Sequence, residues 1–250
     1  MTRLLRVGDE KALNLDLKDT VAIVTGGTRG IGYGLAEKLL AAGGKVFICG
    51  RQDASLKTAL QCLSAGAEDR VAGTNADVGN YADCARHVQE AVQRFGQLDI
   101  LINNAGVGHV YKPVDQIAPE IWDATLRTNV SGMFYCCHAA IPFMRKAGAG
   151  YIFNISSVAE IVRLPGGSAY NASKCAVSGL TETLMKDVRY DGIRVSEIVI
   201  GSVSTDDRGH ENWKLAIEDV VQVVTDLYRL PARALVGRIE LWPSQPPPNR

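Results

Sequence analysis

Short runs of β-branched and aliphatic residues recur along the chain, each followed by a stretch with helical spacing of apolar positions. Thr20–Thr25 (TVAIVT) is such a run and ends in a glycine-rich turn, which predicts a buried strand. Ile31, Leu35, Leu39 and Leu40 then share one helical face, and Gly43–Gly44 stops that helix. The same reading predicts strands over Lys45–Cys49, Val71–Thr74, Leu98–Ile102, Tyr151–Ile155, Ile193–Ile200 and Leu235–Leu241. Between them it predicts helices over Ala54–Leu63, Tyr81–Phe95, Pro119–Arg145, Ser168–Tyr190 and Leu215–Tyr228. Pro119 suits a first helical turn, and Pro142 predicts a bend in the long helix it interrupts. Strands alternating with helices predict a Rossmann-type, doubly wound α/β domain, with about seven parallel strands and helices on both faces. Residues 1–16 read as an N-terminal arm, 17–242 as one domain, and 243–250 as a Pro-rich C-terminal tail.

Composition narrows the class. Apolar residues make up 46%, enough for a sizeable core without disulfide or metal. The 27 basic and 27 acidic residues cancel, which argues against a nucleic-acid binder and its basic footprint. No apolar run approaches the ~18 residues of a membrane span. Cys49, Cys62, Cys84, Cys136, Cys137 and Cys175 form no CxxC or Cys/His ligand spacing. They read as small apolar side chains in a reducing compartment, so the expected location is cytoplasmic, with no bound metal.

Thr25-Gly26-Gly27-Thr28-Arg29-Gly30-Ile31-Gly32 joins the first strand to the first helix. Glycines there permit a tight turn and close backbone approach to a pyrophosphate, whose charge the helix N-terminus favours. The spacing is G-x-x-x-G-x-G, and its position after the first strand is what gives it weight. Dinucleotide sites often end the second strand with an acidic residue for the adenosine ribose, but here Cys49-Gly50-Arg51 stands there. Arg29 and Arg51, with Thr28, would accept a 2′-phosphate, so NADP(H) is the expected cofactor. Asp77-Val78 after the third strand could contact adenine, and Asn103-Asn104-Ala105-Gly106 after the fourth opens on the same crevice.

Tyr170 and Lys174 lie four positions apart in a predicted helix, hence on one face. Ser157 ends the fifth strand, and Asn129 lies in the preceding long helix. Reducing a carbonyl requires a hydride from a nicotinamide and a proton for the developing alkoxide. A cation beside a phenol favours its ionised form, so Lys174 suits Tyr170 to general acid–base work. A serine hydroxyl can hydrogen-bond the substrate oxygen.

Taken in order, these motifs resemble the short-chain dehydrogenase/reductase superfamily, and more narrowly its single-domain classical group, over about residues 17–205. The resemblance implies that Tyr170 is the acid/base and that Lys174 holds the nicotinamide ribose and assists it. Ser157 then orients the substrate oxygen, and Asn129 positions a water in a proton relay. Cofactor contacts are implied for Gly26, Thr28, Arg29, Gly30, Ile31, Gly32, Arg51, Asp77, Val78, Asn104, Ala105, Gly106, Tyr170, Lys174, Val203 and Thr205. The implied function is NADP(H)-dependent interconversion of a small-molecule carbonyl and an alcohol. The alternatives are a dinucleotide-binding regulatory protein without turnover and a non-redox relative such as an epimerase. Relatives often pair two long helices across two-fold axes, which implies a homodimer or homotetramer.

The chain also departs from the family. Ile200 stands where a proline is usual, and Arg238–Pro243 (RIELWP) replaces the usual glycine-rich ending. Of the remaining side chains, His109 reads equally as a pocket residue or a loop histidine, and Glu160 as an exposed loop carboxylate. Tyr151 and Tyr190 are assigned to packing, and Trp122, Trp213 and Trp242 to core or interface.

Overall fold

The structure is a computed structural model that describes residues 16–67, 69–108, 110–205 and 212–245. Residues 1–15 of the predicted arm, the tip of the Pro-rich tail and His109 lie outside these residues.

Seven strands form one parallel sheet in the order β3-β2-β1-β4-β5-β6-β7. They are β1 (Val21–Val24), β2 (Lys45–Gly50), β3 (Val71–Asn75), β4 (Ile100–Asn103), β5 (Gly150–Ser157), β6 (Ile193–Ile200) and β7 (Arg238–Leu241). Central strands carry apolar residues on both faces, and β1 and β4 are buried at every position. Register is fixed by pairs such as Val21 with Lys45 and Ile23 with Leu101. The last strand is shorter than the predicted Leu235–Leu241, because only Arg238–Leu241 pairs with β6.

Helices cover both faces. Leu35, Leu39 and Leu40 of α1 (Gly30–Ala41), Leu56 and Leu63 of α2 (Asp53–Leu63), and Val220 and Val224 of α8 (Ile217–Arg229) fill one core. The other core holds Val88 of α3 (Tyr81–Phe95), Cys136, Cys137 and Met144 of α5 (Gly132–Ala147), and Val177 and Val188 of α7 (Ser168–Val188). Each fully buried aliphatic side chain of this kind contributes roughly 1.5–3 kcal/mol of transfer free energy. Two helices complete the chain: α4 (Pro119–Leu126) and the single-turn α6 (Ala159–Val162).

Three expectations need correction or narrowing. The predicted single Pro119–Arg145 helix is divided by a π-helical turn over Arg127–Ser131, and α5 continues through Pro142 to Ala147. Tyr190 does not pack: α7 stops at Val188, and the ring beyond it is 85% exposed. Trp122 and Trp242 are exposed, so of the two places expected for them, core or interface, the core is excluded, whereas Tyr151 is buried, stacked on Phe153 with its hydroxyl bonded to Ser196.

Candidate active site

The sheet order reverses direction between β1 and β4, so the loops after these two strands diverge and leave a crevice at their carboxyl ends. A cleft of roughly 840 Å³ opens there, bordered by Gly26, Thr28, Arg29, Gly30 and Ile31 after β1. The β1 and β4 turns are tied together by side chains. Thr25 Oγ1 accepts the backbone N–H groups of Asn104 and Ala105, both at 3.0 Å. Asn104 Nδ2 in turn donates to the carbonyls of Thr25 at 3.0 Å and Gly26 at 3.3 Å. Gly32 lets α1 close onto this clasp, since a Cβ there would sit 2.4 Å from both Asn104 Nδ2 and the Gly26 carbonyl oxygen. Gly30 has φ +57°, a conformation that side chains resist. The result is a backbone cradle at the N-terminus of α1, where an anion is favoured.

Arg51, Gly50, Gln52 and Ser55 border the cleft from the second strand and its helix. Ala76 and Val78 border it after β3, Asn104, Ala105 and Gly106 after β4, and Thr128 and Thr205 from further along the chain. Arg29 and Arg51 are exposed, and among the described residues neither makes an ion pair. Gln52, Ser55, Ala76 and Thr128 were not predicted from the sequence; they are ordinary residues at helix and strand ends and carry no motif. Asp77 lies back from the cleft, its carboxylate accepting the Gly79 N–H at 2.9 Å. Val203 also lies outside the cleft wall: it bridges to Leu215 and packs on the core.

The catalytic candidates gather at the end of β5 and the start of α7. Lys174 is buried, and its Nζ donates to the Ile155 carbonyl at 3.0 Å and lies 5.5 Å from the centre of the Tyr170 ring. Ser157 Oγ accepts the Ala159 N–H at 3.2 Å, which leaves its own proton to donate elsewhere. Asn129 sits in the π turn, buried, with Nδ2 donating to Val107 O at 3.1 Å and to Ser173 Oγ at 3.0 Å. Its Oδ1 accepts the Val107 N–H at 2.8 Å. Ser173 passes the chain on by donating to the Tyr170 carbonyl at 2.7 Å. Asn129 therefore braces the loop after β4 against the helix that carries Tyr170 and Lys174.

A second polar ladder lies deeper. Asn103 donates to Asn154 at 2.8 Å, and Asn154 to Thr181 at 2.9 Å, joining β4, β5 and α7 inside the core. Glu160 is not the exposed loop carboxylate expected from sequence. It is 5% exposed, accepts from Ser156 Oγ at 2.7 Å and pairs with Arg238, which also reaches Glu197 at 3.2 Å. Glu197 is 3% exposed, and burial together with the Glu160 charge pushes its carboxyl up to about 7.

The sequence matches the short chain dehydrogenase family over residues 20–215. The chain belongs to that family. A 3alpha-hydroxysteroid dehydrogenase of Mediterraneibacter gnavus is 36% identical over 191 residues, covering 76% of each protein. Among solved structures, a metagenomic short-chain oxidoreductase in complex with NADP matches this short-chain dehydrogenase with a TM-score of 0.82. That match has 28% identity and covers 92% of this chain and 99% of the other. A serine dehydrogenase complexed with NADP+ matches with a TM-score of 0.79 and 27% identity, over 89% and 94% of the two chains. No helix among the described residues is long and apolar enough to cross a membrane.

Proposed function

We propose that this short-chain dehydrogenase is an NADP(H)-dependent oxidoreductase that interconverts a small-molecule carbonyl and its alcohol, with Tyr170 as the acid/base. The observation that carries the reading is the buried Lys174, held by the Ile155 carbonyl with its Nζ 5.5 Å from the centre of the Tyr170 ring, in a chain whose β1 and β4 turns border a cleft suited to a dinucleotide. Bound NADP(H) would supply or accept the hydride. Gly26, Thr28, Arg29, Gly30 and Ile31 would hold its phosphates, and Arg51 with Arg29 would hold the adenosine 2′-phosphate. Asn104, Ala105, Gly106 and Thr205 would line the rest of its path. NADP in two of the structural neighbours supports this choice.

Tyr170 passes the proton to or from the substrate oxygen. Lys174, fixed by the Ile155 carbonyl, keeps a positive charge close to the phenol as it ionises. Ser157 accepts the Ala159 N–H through one of its two lone pairs, so its hydroxyl proton is left for the substrate oxygen. Asn129 spends both amide hydrogens on Val107 and Ser173, so its side chain works as a brace on this arrangement.

The rim beside Tyr170 favours a substrate with an apolar body. Val110 and Tyr111 after β4, and Ile161, Val162 and Leu164 on and after α6, are all exposed. The Lys112 N–H donates to the Gly166 carbonyl at 3.0 Å, which joins these two segments, and Asn171 donates to the Leu164 carbonyl at 3.0 Å. Exposed aromatics on α4 and α5, Trp122, Phe134 and Phe143, support self-association through these two helices. A panel of ketones, quinones and β-ketoacyl thioesters with NADPH, read at the nicotinamide absorbance, tests the function. Oxidation is expected with uncharged bulky ketones. A protein that binds NADPH and oxidises it with none of the panel is not a carbonyl reductase.

A further inference from the structure

Behind Ser157 lies a charged cluster that the reaction above does not use. Ser156 and Glu160 are joined by a 2.7 Å hydrogen bond, so their side chains close a short loop with Ser157 inside it. The Ala159 N–H that engages Ser157 Oγ belongs to the same loop. The Cys175 thiol, next to Lys174, donates to the Glu160 backbone carbonyl at 3.5 Å and so fastens the loop to α7. Glu160 is held from behind by Arg238 of β7. Arg238 also meets Glu197 of β6 at 3.2 Å and Glu240 at 3.1 Å, and Trp242 donates to Glu240. Ser178 of α7 donates to Glu197 and accepts from Arg238, both at 3.2 Å. The groups bonded to the two buried carboxyls are thus Arg238 from β7, Ser178 from α7 and Ser156 from β5, with Glu240 reaching them only through Arg238 and Cys175 meeting the Glu160 backbone.

We propose that the Ser156–Glu160 clasp, backed by Glu197 and Arg238, sets the position of Ser157, making Glu160 a positioning residue for the reaction proposed above. Without Glu160 the Ser156 hydroxyl loses its acceptor, and the turn that presents the Ala159 N–H loses its fastening. A displacement of about 1 Å at a reacting group costs on the order of a hundredfold in rate. Charge sets the working range of the clasp. Arg238 also serves the more exposed Glu240, so two ionised buried carboxylates on that one guanidinium leave an excess negative charge, and one proton on the buried pair lowers it. Burial and the Glu160 charge favour that proton on Glu197, whose carboxyl is pushed up to about 7. As pH rises past about 7 Glu197 ionises, and its repulsion with Glu160 works against the Ser156 bond. The replaced C-terminal strand thereby acts on the catalytic serine through Arg238.

The test uses the full chain with four variants, Glu160→Ala, Glu160→Gln, Ser156→Ala and Glu197→Gln, followed by steady-state kinetics and amide hydrogen exchange. Glu160→Ala is expected to lower kcat by about 10–100-fold, with KM and NADPH dissociation constant within about threefold. Exchange should quicken over residues 157–162 and stay unchanged over residues 26–32. Glu160→Gln should restore most of kcat, since its amide oxygen still accepts from Ser156. In the unmodified enzyme kcat should fall as pH passes about 7, and Glu197→Gln should remove that limb. Wild-type kcat and exchange in Glu160→Ala, or a rise in KM alone, would overturn the proposal. If Glu160→Ala does not fold, Ser156→Ala decides by the same two readouts. If no carbonyl oxidises NADPH, the functional reading fails separately. The clasp is then judged by exchange alone, and unchanged protection over residues 157–162 sinks it.

Discussion

Moving the cofactor preference from NADP(H) to NAD(H) puts the sharpest strain on the reasoning about the cleft. Arg29 and Arg51 border it as exposed guanidiniums, without a carboxylate partner among the described residues. Each can donate charge-assisted bonds to a 2′-phosphate, worth ~1.5–3 kcal/mol when shielded and less than ~1 kcal/mol when fully in water. A half-shielded value of ~0.7–2 kcal/mol apiece gives ~1.4–4 kcal/mol for the pair, a preference for NADPH of ~10–1,000-fold in kcat/KM. Arg29→Ala alone should cut kcat/KM for NADPH by ~3–30-fold and leave NADH nearly unchanged. Reversal requires a carboxylate at position 50, and here the structure adds a constraint. A Cβ on Gly50 would meet Thr28 Cγ2 at 2.5 Å. Gly50→Asp with Arg51→Ala should therefore reverse the preference only when Thr28→Ser removes that methyl. The assay is the ratio of specificity constants for the two cofactors with one common ketone. An unmodified enzyme that favours NADH, or an Arg29→Ala/Arg51→Ala protein with an unchanged ratio, refutes the phosphate site.

Tyr170→Phe should abolish turnover while the NADPH dissociation constant stays within a few-fold by fluorescence titration; retained turnover eliminates Tyr170 as the acid/base. Lys174→Ala should harm both rate and cofactor binding. His87 is buried against Phe47 with neither ring nitrogen hydrogen-bonded, and burial holds its pKa down to about 3. The folded imidazole stays neutral while the unfolded one gains a proton below about 6.5, so stability is lost as pH falls from about 6.5 toward 3. His87→Phe should raise the melting temperature at pH 5 more than at pH 8, and equal shifts at the two would show that the imidazole is not held neutral. All six cysteines are free thiols, four of them clustered as Cys49, Cys84, Cys136 and Cys137, so alkylation under denaturing, non-reducing conditions should modify six. Fewer, without prior air oxidation, would contradict this.

Much of the fold was legible because strands buried on both faces carry continuous apolar runs and their helices carry apolar stripes. The glycine loop, the Asn104 turn and the Tyr170/Lys174 pair were legible because backbone approach and helical spacing constrain local sequence. What escaped depends on partners distant in sequence. Glu160 is a plausible surface residue until Arg238 and Glu197, on two other strands, are brought to it. The π turn has no signature in Arg127–Ser131, since it is held by what Asn129 finds in Val107 and Ser173. Tyr190 was misjudged by two residues at a helix end, where periodicity is least informative.

That turn makes one helical axis serve two masters. In a regular helix successive residues step about 100°, and a wider turn shifts the phase of everything after it. Upstream of Arg127, α4 rests on α7, while downstream of Ser131, α5 rests on α3 and the sheet. Asn129 occupies the seam between the two phases. Deleting one residue within Arg127–Ser131 would let the hydrogen bonding revert to the regular pattern, and either α4 would swing off the helix that bears Tyr170 or α5 would withdraw its apolar stripe from the core. The irregularity thus acts as a phase-setting gear, and the length of this short stretch is as constrained as the identity of the asparagine within it.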